Sequence, residues 1–189
     1  NLNTINNNLK RENNSIFLPS PIEVEYGNYF KKIINLSNNL GVKRFHIDVG
    51  DGKFINRLLN VENKVSYIKQ QSPENIIHLH LMVENPHIGQ SENYIKRYSE
   101  LGADYIGIHR KAFSNFRAVD DAISLIKSLN KKVGIFIEVD EQIDEDLLDK
   151  IIQYKINWIV LMGVPVGFGG QFFNEQVFDS QFNLENHNG

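Results

Sequence analysis

The chain has 189 residues, a formal net charge of −3 and no cysteine. This balance gives no electrostatic case for a nucleic-acid or anionic-membrane partner, and the missing thiols exclude disulfides and thiolate metal sites. With 41% hydrophobic and 23% charged residues, the composition is that of an ordinary soluble globular protein with one sizeable core. The longest apolar run, around residues 156–164, is too short to span a bilayer as a helix. The chain opens on Asn1 and shows no signal peptide, so a cytoplasmic location is expected. Residues 1–14 are half asparagine and read as a flexible tail, leaving residues 15–189 as a single domain.

From Ser15 onward, strand and helix patterns alternate. Ile16–Leu18 is a short apolar strand, and Tyr26–Leu40 carries apolar residues at helical spacing up to a stop at Gly41. The spacing then predicts strand Arg44–Val49, a loop, helix Val61–Gln70, strand Ile76–Met82 and helix Ser91–Leu101. Strand Tyr105–His109, helix Ala118–Leu129, strand Val133–Val139, helix Glu145–Tyr154 and strand Trp158–Val164 follow. Such even βα alternation predicts a parallel sheet. An open doubly wound sheet needs strands that are apolar on both faces. Here His46, Asp48, His80 and His109 interrupt three strands near their C-terminal ends. A (β/α)8 barrel with its site at that end accommodates them, although only about six βα units are visible.

His46 and Asp48 are two residues apart and share a strand face. Buried, they need partners: a metal, a polar substrate, or simply one another for packing. His80 lies near the end of the next strand and becomes a candidate third ligand, whereas His78, deeper on the same face, reads as structural. Two imidazoles and a carboxylate suit zinc, iron(II), manganese or cobalt. The second signal is the stretch Leu161–Gln171, with Gly163, Gly167, Gly169 and Gly170. Its backbone N–H groups suit a phosphate, though it matches neither the P-loop nor the dinucleotide fingerprint. Asp51 and Gly52 read as a turn, while His87 and His187 have no visible partner.

Together these stretches resemble the ribulose-phosphate 3-epimerase family. His46-Ile47-Asp48-Val49-Gly50-Asp51-Gly52-Lys53-Phe54 is similar to that family's His-Val-Asp-Val-Met-Asp-Gly-His-Phe, and His80–Pro86 matches His-Leu-Met-Val-Glu-Asn-Pro in full. The 161–171 loop resembles Met-Ser/Thr-Val-x-Pro-Gly-Phe-Gly-Gly-Gln. Leu18–Ile22 resembles a first-strand Pro-Ser-Ile-Leu, and Gly102-Ala103-Asp104 with His109 stand where the family has Gly-Ala-Asp and a strand-four His.

The resemblance implies a TIM barrel that interconverts D-ribulose 5-phosphate and D-xylulose 5-phosphate using one divalent metal. It implies His46, Asp48 and His80 as ligands, Asp48 also as a proton-transfer group, and Ser20 as a substrate contact. Met82 and Met162 would line the site, and Gly167, Phe168, Gly169 and Gly170 would hold the phosphate. Without the resemblance, each Met reads equally as core filling. The implied partner is a small phosphorylated sugar, and the resemblance implies a homo-oligomer.

The departures are specific. The family's strand-seven Asp-Gly-Gly and strand-eight Gly-Ser have no counterpart in residues 174–189, so an incompletely represented chain is expected. Gly50 stands for Met, Lys53 for His, Lys111 for Glu, Glu138 for Asn and Gly163 for Ser or Thr, while Asn56-Arg57 stands for Pro-Asn. Gly50 is expected to enlarge the site, and Lys53, Arg57 and Lys111 either contact substrate or lie solvated at the surface. The alternatives are a divergent relative acting on another phosphosugar, and a non-catalytic phosphosugar-binding barrel or domain of a larger protein.

Overall fold

The computed structural model of the chain describes residues 28, 31–33, 35–89 and 93–167. The expected tail and first strand, together with Ser20, Phe168, Gly169 and Gly170, lie outside the described residues.

Residues 28 and 31–33 are helical, and a π-helical turn over Asn35–Asn39 follows at the end of the expected first helix. Strand β1 (Arg44–Asp51) is followed by the short β2 (Leu58–Leu59), helix α1 (Glu62–Gln71) and β3 (Ile76–Met82). Helix α2 (Tyr94–Glu100), β4 (Tyr105–His109), α3 (Phe116–Ser128), β5 (Lys132–Ile137), α4 (Glu145–Gln153) and β6 (Trp158–Leu161) complete it. The sheet order is β2-β1-β3-β4-β5-β6, with β2 antiparallel to β1 and all other neighbours parallel. Every parallel strand thus lies beside its predecessor. A doubly wound sheet would reverse direction at a switch point, and this one does not.

The sheet also curls. Four strand-to-strand steps of about 4.8 Å would hold β1 and β6 about 19 Å apart if the sheet were flat. Instead, the ring centroids of His46 on β1 and Trp158 on β6 are 6.1 Å apart. Inward side chains from the first and last parallel strands therefore meet at a common axis, as in a (β/α)8 barrel.

The period-2 alternation of the strands sorts the residues between two layers. Phe45, Ile47, Val49, Ile77, Leu79, Leu81, Ile106, Ile108 and Val133 face outward and are buried against the helices, where they meet Val65, Ile68, Ile95, Ile123 and Ile126. Each such side chain contributes roughly 1.5–3 kcal/mol on burial, so the core sits between sheet and helices. The axis is left to His46, Asp48, His78, His80, Gly107, Gly134, Phe136 and Trp158. Helix starts follow capping side chains rather than apolar periodicity. Asn93, Asn115 and Asp144 accept hydrogen bonds from Lys96, Ala118 and Leu147 N–H, which moves two starts by two or three residues from the expected ones.

Gly107 and Gly134 are register partners on β4 and β5. A Cβ on Gly107 would sit 2.3 Å from Phe136 Cε2, and one on Gly134 2.5 Å from Trp158 Cε3. These glycines make room for the two rings that fill the barrel axis. Gly107→Ala is expected to destabilise the chain by about 1–3 kcal/mol in urea unfolding. Adding Phe136→Leu should recover part of that loss; equal midpoints for Gly107→Ala and the unaltered chain would refute the packing account.

Candidate active site

The register of β1 against β3 pairs His46 with His78 and Asp48 with His80. Adjacent strands thereby place two imidazoles and a carboxylate on one inward face. Asp48 Oδ1 lies 2.7 Å from His80 Nδ1 and 3.2 Å from His46 Nε2. One ligand atom from each of the three residues falls within 4.8 Å of the other two. The group is shielded without being sealed, with side-chain exposures of 18% for His46, 13% for Asp48 and 6% for His80. Burial pushes the Asp48 carboxyl up, but hydrogen bonds from His46 and His80 outweigh it and hold the group well below the usual carboxylate range. Burial pushes His80 down to about 4, against the pull of Asp48. Asp48 is therefore an anion beside a neutral His80 at neutral pH.

The contacts continue across the barrel. His80 Nε2 is 2.6 Å from His109 Nε2, and His109 Nδ1 is 3.2 Å from Glu138 Oε1. Three gaps now separate the carboxylates of Asp48 and Glu138: oxygen to nitrogen, nitrogen to nitrogen, and nitrogen to oxygen. At the Asp48 end His46 Nε2 also converges, and the donor set of two imidazole nitrogens and a carboxylate oxygen fits a divalent metal.

Aromatic rings hold this line in place. Phe136 stacks on His80 at 3.7 Å between centroids and 7° between planes. Phe54 packs on His109 at 5.1 Å. Asp51 closes its turn by accepting from Lys53 and Phe54 N–H, and its other oxygen accepts from Glu84 N–H, tying the loops after β1 and β3 together. It forms a turn, as its sequence suggests.

Met82 is buried at the end of β3, in register with Gly50. Met162 follows β6, half-buried, with its N–H donating to Ile137 O. Gly167 has a φ of +112°, a conformation that favours glycine, and its Cβ position is 3.5 Å from Ile55. The loop after β6 thus reaches the loop after β1, at the same end as the His–Asp–His group. Gly50 does not enlarge the site: a Cβ there would lie 2.5 Å from Arg57 O and 2.9 Å from Ile55 Cδ1, so its space is already filled. Lys111 pairs with Asp140 and stands 3.9 Å from Glu138 Oε2. Lys53 is exposed beside a cleft of about 500 Å³ that it shares with Asp51, Glu84 and Arg97.

His78 lies deeper, stacked on Tyr105 at 4.0 Å, and its Nε2 accepts from Arg44 at 3.1 Å. The sequence marks His109 as a polar group at a strand's C-terminal end, whereas Glu138 stands out there only as a departure from the family's Asn, and their contact is not legible from it.

Residues 17–186 match the ribulose-phosphate 3 epimerase family model. The chain belongs to this family. It is 32% identical over 148 residues to a ribulose-phosphate 3-epimerase of Mycoplasma genitalium, a match covering 78% of this chain and 65% of that protein. Proteins of the same name from Aquifex aeolicus and Bacillus subtilis are each 29% identical, over 72% of this chain and 56% and 58% of theirs. The chain thus spans between half and two thirds of the length of these relatives. Among the described residues, no helix is long and apolar enough to cross a membrane.

Burial, then the Arg44 charge, push His78 down to about 4. The unfolded chain returns it to about 6.5 and so binds more protons between these values. Stability is therefore expected to fall as pH drops from about 6.5 toward 4. In urea unfolding, His78→Phe should flatten this acid limb by about 1–3 kcal/mol; an unchanged pH slope would contradict the burial assignment.

Proposed function

We propose that the chain carries metal-dependent epimerisation at C3 of a ketose phosphate, converting D-ribulose 5-phosphate to D-xylulose 5-phosphate through an ene-diolate. The observation that carries this reading is the convergence of His46, Asp48 and His80 on one inward face, a donor set that suits a divalent metal. Family membership and the names of its relatives support the same reaction.

The C3 hydrogen is acidic because it is α to the C2 ketone. His46, Asp48 and His80 would hold zinc, iron(II), manganese or cobalt, which when bound supplies electrophilic stabilisation of the charge developing on the substrate oxygens. Asp48 takes the C3 proton as general base, or delivers it in the reverse direction, with its anionic form favoured by the two imidazoles. Inversion requires a second proton donor on the opposite face. Met82 and Met162 exclude water beside the reacting carbons. Ser20 contacts the sugar, and the backbone of Gly167, Phe168, Gly169 and Gly170 receives the phosphate.

The test is deuterium entry at C3 of ribulose 5-phosphate in D2O, followed by NMR on the zinc-, iron(II)- or manganese-loaded chain. Deuteration with xylulose 5-phosphate formation is expected, and Asp48→Asn should reduce it by about 10²–10⁴-fold. Deuteration without inversion would restrict Asp48 to one face of the sugar and overturn the epimerase reading. Absence of deuterium with every metal would overturn the assignment of Asp48 as well.

A further inference from the structure

The inward face of the sheet has a second end, opposite the His46–Asp48–His80 group. Arg44, Tyr105 and Lys132 are the first residues of β1, β4 and β5. Period-2 alternation puts them on the same face as His46, Gly107 and Gly134, at the N-terminal mouth of the barrel. Register sets His78, Tyr105 and Lys132 in one row across β3, β4 and β5. The Lys132 ammonium donates to the Tyr105 hydroxyl at 2.9 Å and lies 4.8 Å from the centre of that ring. The Arg44 guanidinium stands 5.9 Å from the same ring centre and donates to His78 Nε2 at 3.1 Å. Two cations thus gather at one phenol ring, and among the described residues neither pairs with a carboxylate. Asp104, next to Tyr105 in the chain, is held by Lys69 of α1 at 2.7 Å and by Ile77 N–H at 2.8 Å. The hydrogen bond from Lys132 lowers the Tyr105 phenol below its usual range, with Arg44 acting in the same direction and burial against it, so the mouth favours negative charge. A further polar atom is unmet beside the cations: His78 is 4% exposed, and its Nδ1 is buried with no hydrogen-bond partner among the described residues.

We propose that the N-terminal mouth of the barrel is an anion site, where Arg44 and Lys132 together bind a phosphate-type oxyanion beside Tyr105. A guanidinium brings five N–H donors and an ammonium three, more than His78 and Tyr105 can accept. Donors left over on two adjacent cations suit a doubly charged oxyanion, which the planar guanidinium fork meets with paired hydrogen bonds. The approach is open, because Lys132 is exposed and Arg44 and Tyr105 are half-buried. The ring contacts of His78 on Tyr105 at 4.0 Å and of Trp158 on His78 at 4.9 Å give the mouth a firm floor. This site is separate from the proposed reaction and is independent of the metal reading, since Arg44 and Lys132 open their strands and the His46–Asp48–His80 group stands further along.

The test is a titration of the full chain with inorganic phosphate, at an ionic strength held constant with chloride. Two signals are followed: the side-chain ¹H–¹⁵N resonance of Arg44 Nε, and the fluorescence of Trp158, the one tryptophan of the chain. Both are expected to shift and saturate together. Lys132→Gln alters an exposed side chain and should weaken phosphate binding by about 10-fold, the size expected for losing one charge-assisted hydrogen bond. Arg44→Gln should weaken it at least as much, and Lys132→Gln covers the case in which that variant does not fold. Glycerol 3-phosphate in place of inorganic phosphate tells a phosphomonoester from the free ion, and saturable binding of either supports the site. Equal phosphate affinity in the unaltered chain and in Lys132→Gln would put the ion elsewhere, as at the loop after β6, and overturn the proposal. A motionless Arg44 signal, or a response that chloride alone reproduces, would overturn it as well.

Discussion

A single missing side chain on β4 decides what the centre of this barrel looks like. Without a Cβ at Gly107, the Phe136 ring reaches across from β5 and lies flat on His80. The same absence at Gly134 admits Trp158, whose ring meets His46, His78 and Phe136 near the axis. The aromatic surfaces fill space that would otherwise hold water and fix the planes of the imidazoles. Polar groups that are costly to bury are thereby held in one arrangement, with the ring nitrogens of His80 and His109 paired along the sheet.

The electrostatics follow from that packing. Two carboxylates terminate a line of two imidazoles, and burial keeps His80 neutral. At the Asp48 end a second imidazole, His46, stands beside the carboxylate. The outer layer supplies the rigidity. Ile47, Val49, Leu79 and Leu81 alternate with the site residues and anchor β1 and β3 on the helices. Position along the strand separates the two histidines of β3: His78 stacks on Tyr105 near the base, and His80 meets Asp48 toward the C-terminal end.

Much of this was legible in the sequence because period-2 alternation is a local signal. His46, Asp48 and His80 were recognisable as inward-facing, and five of the expected strands stand within a few residues of their predicted bounds. Helix starts were less legible, since Asn93 and Asn115 begin helices by accepting one backbone hydrogen bond. The two-residue β2 has no pattern long enough to read. Gly50 misled because the size of a residue does not say what folds back over it, and here Ile55 and the Arg57 carbonyl do. The link from His109 to Glu138 was invisible for a related reason. It joins residues 29 apart whose meeting depends on register between β4 and β5.

The central claim is that β1 and β3 together hold one cation. Anomalous diffraction from crystals of the zinc-loaded chain tests it most directly. The account predicts an anomalous peak among His46, Asp48 and His80, absent from Asp48→Asn crystals grown in the same zinc. A peak elsewhere with those three side chains still bonded to one another would contradict it, and so would no peak at saturating zinc.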